Sequence, residues 1–255
     1  MKFGYFLTLP GQIEETQDHV SLLWLDTQGR LPQQEMARAT TLGKAVVIDM
    51  QGCLFGPDKT ILPDATERVQ SLRTYIKLHG SLSAVEVLVP CDEPNLPERD
   101  VQALIPEAVR ILRDAWPEAK VGCIYYNDAE FRHRHLFDVL GYDDYLGGFG
   151  IFQAPRWYER IKLFFGGFVR RGSYLRFAEL LRPDQKTWLI PGGTYGERPE
   201  RWVEFAKTRP EVWAIVGFLW PATADGKEQF LGISGQPEVR AAYVAAGLSL
   251  VGEQS

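Results

Sequence analysis

Cysteine is scarce in this chain. Cys53, Cys91 and Cys123 are the only three in 255 residues. They lie far apart with no CxxC spacing, so the sequence carries neither a disulfide framework nor a thiolate metal knuckle. Such a set fits reduced thiols in a cytoplasmic protein. Histidine is scarce as well, at four residues. His133 and His135 in "FRHRH" stand two apart on an expected helix and so face different ways. No HxH follows the first strand pattern and no CxxxCxxC occurs, so the residues ask for no metal and no other cofactor. Positive charge is not in excess: 28 Lys and Arg against 33 Asp and Glu give a net charge of −5. That excludes a basic nucleic-acid face as the partner surface. Long apolar runs are missing too. The greasiest window, "IKLFFGGFV", is far short of the roughly 20 residues of a membrane span, contains Lys162 and runs into Arg170 and Arg171. The start, "MKFGYFLTLPGQIEE", lacks a signal-peptide core. Nothing in the letters bears on oligomeric state.

What is present is a repeated alternation. With 45% apolar and 24% charged residues the chain can bury a sizeable core. Short apolar runs at Phe3–Leu9, Val20–Leu25, Ala45–Asp49, Val85–Pro90, Val121–Tyr126, Tyr145–Ile151, Thr187–Pro191 and Val212–Trp220 read as strands. Helical patterns lie between them, at Pro10–Asp18, Pro32–Leu42, Pro63–His79, Glu98–Trp116, Ala129–Leu140, Trp157–Leu181, Pro199–Thr208 and Glu238–Ala246. In the fourth of these, Pro106 predicts a kink or a late helix start. The strands lack period-two alternation, as expected when both faces are covered. Eight strand–helix units at a spacing of about 32 residues predict one (β/α)8 barrel domain over 1–255. A doubly wound open sheet is the competing architecture, because alternation alone does not say whether the sheet closes. No Pro/Gly/Ser linker divides the chain.

In a barrel the chemistry gathers at the C-terminal strand ends. Those ends offer Asp26 in "LWLDTQG", Asp49 in "VVIDMQG", Asp92, Glu93 and Asn95 in "CDEPN", and Tyr126 and Asp128 in "IYYND". Tyr145 follows in "DDYLGGFG", then Glu197 in "PGGTYGE" and Trp220 in "GFLWP". Carboxylates, amides and aromatic rings on one rim suit carbohydrate, whose apolar ring faces stack on aromatics and whose hydroxyls donate to Asp and exchange hydrogen bonds with Asn. Cleaving a glycosidic bond further needs two carboxyl groups, one protonated and one ionised. Trp116, Trp157, Trp188, Trp202 and Trp213 are expected to pack helices against strands.

The stretch "VEVLVPCDEPNL" on the fourth strand resembles the Asn-Glu-Pro motif of the large (β/α)8 glycoside hydrolase clan. It is similar in particular to the Asp-Glu-Pro-Asn variant of uncharacterised bacterial glycosidase-like barrels. The resemblance implies Glu93 as general acid/base, kept protonated by a partly buried acidic setting. It puts Asp92 in place of the Asn that touches the sugar 2-hydroxyl, with Asn95 beside it. Trp220 is similar to the eighth-strand Trp that floors the subsite in that clan, and Tyr145 stands where a sixth-strand Tyr often lies. One departure matters. The clan carries its nucleophilic Glu at the end of the seventh strand, whereas here that strand ends Pro191-Gly192-Gly193-Thr194. Three expectations stay open: Glu197 folds back as the second carboxylate, Asp26, Asp49 or Asp128 takes that role, or the barrel binds a glycan or protein partner without cleaving anything. A phosphate cradle at "PGGTYGE" is only half built, and an aldolase-like lyase lacks a lysine at the strand ends.

Overall fold

β3 shows why the strands read as unbroken apolar runs: every residue of Ala45–Asp49 is buried. In the computed structural model, residues 1–27, 31–94, 100–125, 132–143, 174–193, 196–218, 220, 223–224, 229–230 and 232–253 are described. β1 (Lys2–Leu7), β2 (Leu22–Asp26), β3, β4 (Val85–Val89), β5 (Lys120–Tyr125), β6 (Val139–Asp143), β7 (Lys186–Ile190) and β8 (Val212–Gly217) are all parallel and close into one barrel in chain order. Closure rests on the β1–β8 pairing, Lys2 opposite Ala214 through Tyr5 opposite Gly217. The open sheet is thereby excluded.

The described helices are α1 (Gln12–Thr16), α2 (Gln33–Ala39), α3 (Gln51–Leu54), α4 (Ala65–His79), α5 (Ile105–Ala115), α6 (Tyr174–Glu179), α7 (Glu200–Lys207) and α8 (Pro237–Gly252). A two-stranded hairpin pairs β9 (Thr223–Ala224) with β10 (Gln229–Phe230). As Pro106 predicts, α5 starts late, with the proline in its first turn, where its missing N–H costs nothing.

Side-chain alternation along the strands builds two cores. Phe6, Leu22, Trp24, Val47, Val87, Val89, Ile124, Trp188, Ile190 and Val216 fill the barrel interior. Phe3, Tyr5, Leu23, Ile48, Leu88, Cys123, Leu189, Ile215 and their neighbours form the outer layer under the helices. Lys2 and Glu86, on strands that are not neighbours, pair at 2.5 Å, and Lys2 also lies 5.6 Å over the ring of Trp213. This pair sits at the N-terminal ends of β1 and β4, opposite the rim of interest.

Two expectations are corrected. Trp188 does not pack a helix against a strand; it is fully buried inside the barrel. The sixth strand of the barrel is Val139–Asp143, the expected Tyr145–Ile151 lying outside the described residues, and the expected helix Ala129–Leu140 is replaced in its described part by a 3-10 turn at Arg134–Leu136. Gly141 explains both errors. A Cβ there would lie 2.1 Å from Trp188 Nε1 and 2.6 Å from Ile124 Cγ1, so the strand keeps a glycine where the indole fills the barrel. Read without that tryptophan, "VLGYDD" looks like the end of a helix.

Candidate functional site

Three neighbouring strands deliver the carboxylates. Alternation that puts Leu22 and Trp24 of β2 and Ala45 and Val47 of β3 into the interior carries Asp26 and Asp49 inward at the C-terminal rim. The two aspartates are register partners across β2 and β3. Asp49 is only 5% exposed, and its Oδ1 accepts the Gln51 backbone N–H at 2.9 Å. The β2 and β3 ends are locked together: Thr27 N–H donates to the Asp49 carbonyl at 3.1 Å, and Gly52 N–H donates to Thr27 Oγ1 at 3.2 Å.

β4 joins the same rack. Met50 N–H donates to the Val89 carbonyl at 2.7 Å, and the Cys91 thiol reaches Gln51 Oε1 at 3.5 Å. Asp92 makes an isolated parallel bridge with Ile124 of β5, so the chain is still in contact with its neighbour when it reaches Glu93. There the backbone turns sharply, with φ of 47°. That left-handed conformation is uncommon for a residue with a side chain. Glu93 is half-buried and its Oε1 is shielded from solvent. Buried Cys91 and Cys123 and half-buried Cys53 form no disulfide, and burial pushes the Cys53 thiol up from its ordinary range.

The other expected site residues fall elsewhere or lie outside the described residues. Asn95, Tyr126, Asp128 and Tyr145 belong to the latter group. Glu197 is anchored on its own loop: Oε2 accepts the Gly192 backbone N–H at 2.9 Å and Oε1 accepts the Trp202 indole N–H at 2.8 Å. A strand-end residue passed over in the letters is Asp143, the last of β6, opposite Ile190 of β7. Placing the sixth strand correctly would have found it.

Trp220 is not on the rim surface. It lies three residues past β8, is 0% exposed, and donates its indole N–H to Glu15 Oε2 at 2.9 Å. Its ring packs on Tyr5 (4.6 Å between centroids) and His19 (5.6 Å) in the outer core. A ring fully covered by its own chain offers no face to a sugar. The same cluster is expected to make the fold acid-sensitive. Burial, with Arg240 of α8 and Lys44 adding to it and Asp18 opposing, holds the His19 imidazole below its ordinary range. The unfolded chain therefore takes up a proton first as pH falls below about 6.5, and stability drops from there down to the depressed folded-state value. His19→Gln is expected to flatten this slope in melting temperatures measured between pH 7.5 and 5; an unchanged slope would place the acid sensitivity elsewhere.

No helix among the described residues is long and apolar enough to cross a membrane, and no group of three or more metal-ligating side chains occurs among them. No protein-family model matches the sequence, and no characterised protein matches it by sequence. Solved structures do match in shape. A GH113 β-1,4-mannanase, determined as a complex, superposes with a TM-score of 0.53 at 12% identity and covers 97% of both chains. A β-glucuronidase from Ruminococcus gnavus in complex with D-glucuronic acid superposes with a TM-score of 0.57 at 12% identity. It covers 96% of this chain, which in turn spans 48% of that enzyme. At such identities the likeness concerns fold. In fold, the chain is a (β/α)8 barrel similar to those of these two enzymes.

Proposed function

We propose that the protein acts on a carbohydrate at the C-terminal rim and cleaves a glycosidic bond, with Glu93 as the general acid/base. The observation that carries this reading is the delivery of Asp92-Glu93 just past β4, with a left-handed turn at Glu93, beside the inward aspartates of β2 and β3. Backbone strain of this kind persists only where the surroundings impose it, and it concentrates at functional positions. Asp92 and Asp26 would hydrogen-bond sugar hydroxyls, with Asn95, Tyr126, Asp128 and Tyr145 completing the subsite. That no disulfide joins Cys53, Cys91 and Cys123 fits a reducing, cytoplasmic setting.

The test is release of 4-nitrophenol from 4-nitrophenyl β-D-mannoside, β-D-galactoside and β-D-glucuronide, and of reducing ends from β-1,4-mannan. Cleavage of β-1,4-mannan by the wild type that Glu93→Gln abolishes supports the reading; mannan cleavage that survives the substitution removes Glu93 from the chemistry, whereas 4-nitrophenol, a leaving group that needs no proton, reports only that the glycosidic bond is cleaved. Glu197→Gln serves as a control. A carboxamide cannot accept both of the hydrogen bonds that Gly192 and Trp202 donate, so about 1–2 kcal/mol of stability is lost, a fall of a few degrees in melting temperature, while turnover stays within severalfold. A large loss of turnover with an unchanged melting temperature would return Glu197 to the chemistry.

A second reading is a barrel that binds a glycan without cleaving it. The absence of an acid in Ile190-Pro191-Gly192-Gly193 at the end of β7, with Glu197 held on its loop, favours it. Saturable calorimetric binding of mannan oligosaccharides with no bond cleavage would support this alternative.

A further inference from the structure

We infer that Phe218 is the apolar platform against which a sugar ring lies in the barrel mouth; this rests on the carbohydrate reading above. A column of aromatic rings runs through the barrel, each within stacking range of the next. Between centroids, Trp213 lies 6.2 Å from Trp188, Trp188 4.9 Å from Trp24, Trp24 4.3 Å from Phe6 and Phe6 5.3 Å from Phe218. Trp188, Trp24 and Phe6 are buried. Among the described residues of this column, only the end rings, Trp213 and Phe218, keep exposed surface. Trp213 ends it at the N-terminal face, where the Lys2 ammonium lies 5.6 Å over its ring and pairs with Glu86. Phe218 ends it one residue past β8, at the rim that carries the carboxylates.

The backbone holds Phe218 at that place. Its N–H donates to the Pro191 carbonyl at 3.2 Å, which ties it to the end of β7, and two residues on the Trp220 N–H donates to the Phe6 carbonyl at 3.3 Å. The Trp220 indole is held in the outer core by Glu15. Of the two rings at this strand end, one therefore lies inside the barrel and the other outside. Phe218 meets Phe6 at an interplanar angle of 78°, and the close-packed rings beneath keep it from sinking further into the interior. It stays half-buried at the mouth. The negative face of an aromatic ring attracts the weakly positive C–H face of a sugar, and a binding site needs such apolar lining beside a few placed polar groups. The polar groups are close in strand order. β8 neighbours β1, and β1 neighbours β2, which ends in Asp26 opposite Asp49 of β3. A pyranose with its C–H face on Phe218 turns hydroxyls at its edge towards the β2–β3 side, where carboxylates accept their protons in hydrogen bonds.

The test compares the wild type with Phe218→Leu, which keeps an apolar side chain but removes the ring, and Phe218→Tyr, which keeps the ring. KM and kcat are measured on whichever of the substrates named above the wild type cleaves, and the calorimetric Kd for mannohexaose is measured if it cleaves none. Phe218→Leu is expected to raise KM or Kd about tenfold with kcat within severalfold, the pattern of lost binding that is equal in ground and transition state. Its melting temperature should fall by only a few degrees, and Phe218→Tyr should match the wild type in affinity. A folded Phe218→Leu protein with wild-type KM or Kd overturns the inference and leaves the carbohydrate reading standing; so does a loss of affinity that Phe218→Tyr shares. A wild-type protein that neither cleaves nor binds any of these glycans overturns both.

Discussion

Glu93→Gln is expected to cut turnover by about 10²–10⁴-fold, the usual contribution of a positioned general acid, while Glu93→Gly raises the melting temperature. The second half follows from the backbone. With φ of 47°, Glu93 occupies a left-handed conformation that costs a residue with a Cβ on the order of 1–3 kcal/mol. Glycine removes that cost and gives back roughly 0.5–1 kcal/mol through the greater freedom of the unfolded chain. The balance is about 1 kcal/mol in favour of the variant, or roughly 2–4 °C for a domain of this size. A gain in stability joined to a loss of activity is the signature of strain retained for function. Lys59 provides the control. It is exposed and has φ of 62° in a surface turn where Gly56 and Thr60 close the backbone bonds. Lys59→Gly should stabilise by a similar amount and leave turnover unchanged. A Glu93→Gly protein that melts lower than wild type, beside a stabilised Lys59→Gly protein, would show that contacts of the Glu93 side chain outweigh its strain.

The sequence disclosed the barrel because a parallel strand covered on both faces must be an apolar run, and because each such run ends at the rim in whatever the site requires. Asp26, Asp49, Asp92 and Glu93 were legible for that reason: each is the polar letter that stops a buried strand. Proline chemistry was legible too, since Pro106 acts through its own backbone. What was hidden depends on partners distant in the chain. Glu197 reads as a charge before a helix, and nothing local says that Gly192 and Trp202 donate to it. Trp220 reads as a strand-end ring, yet β8 stops at Gly217 and the indole turns outward to Glu15 and Tyr5. In the same way, a glycine inside a strand cannot be interpreted until the side chain that occupies its missing Cβ is known.

That last case carries the second large prediction. Trp188 fills the barrel between Gly122 and Gly141: added Cβ atoms there would lie 2.4 Å from Trp188 Cη2 and 2.1 Å from Trp188 Nε1. Trp24 meets it edge-on at 4.9 Å. The indole thus stands where two neighbouring strands withhold their side chains. Trp188→Ala is expected to cost about 3–5 kcal/mol through lost burial and the cavity left behind, a large share of the roughly 5–15 kcal/mol that holds a typical domain together. Gly141→Ala is expected to cost about 1–3 kcal/mol or more by overpacking, because the rigid ring is wedged against Trp24 and cannot swing aside. The two losses should not add. In a Trp188→Leu background the alanine methyl at 141 enters space the indole has vacated, so the penalty for Gly141→Ala shrinks or reverses, a coupling of about 0.5–3 kcal/mol. Urea unfolding midpoints of the four proteins in this cycle measure it directly. Additive losses would mean that Gly141 is required by the β6 backbone itself. A coupling of the expected sign would show that the glycine is there to admit the tryptophan, and that the sixth strand, with Asp143 at its rim end, takes its place in the barrel through that contact.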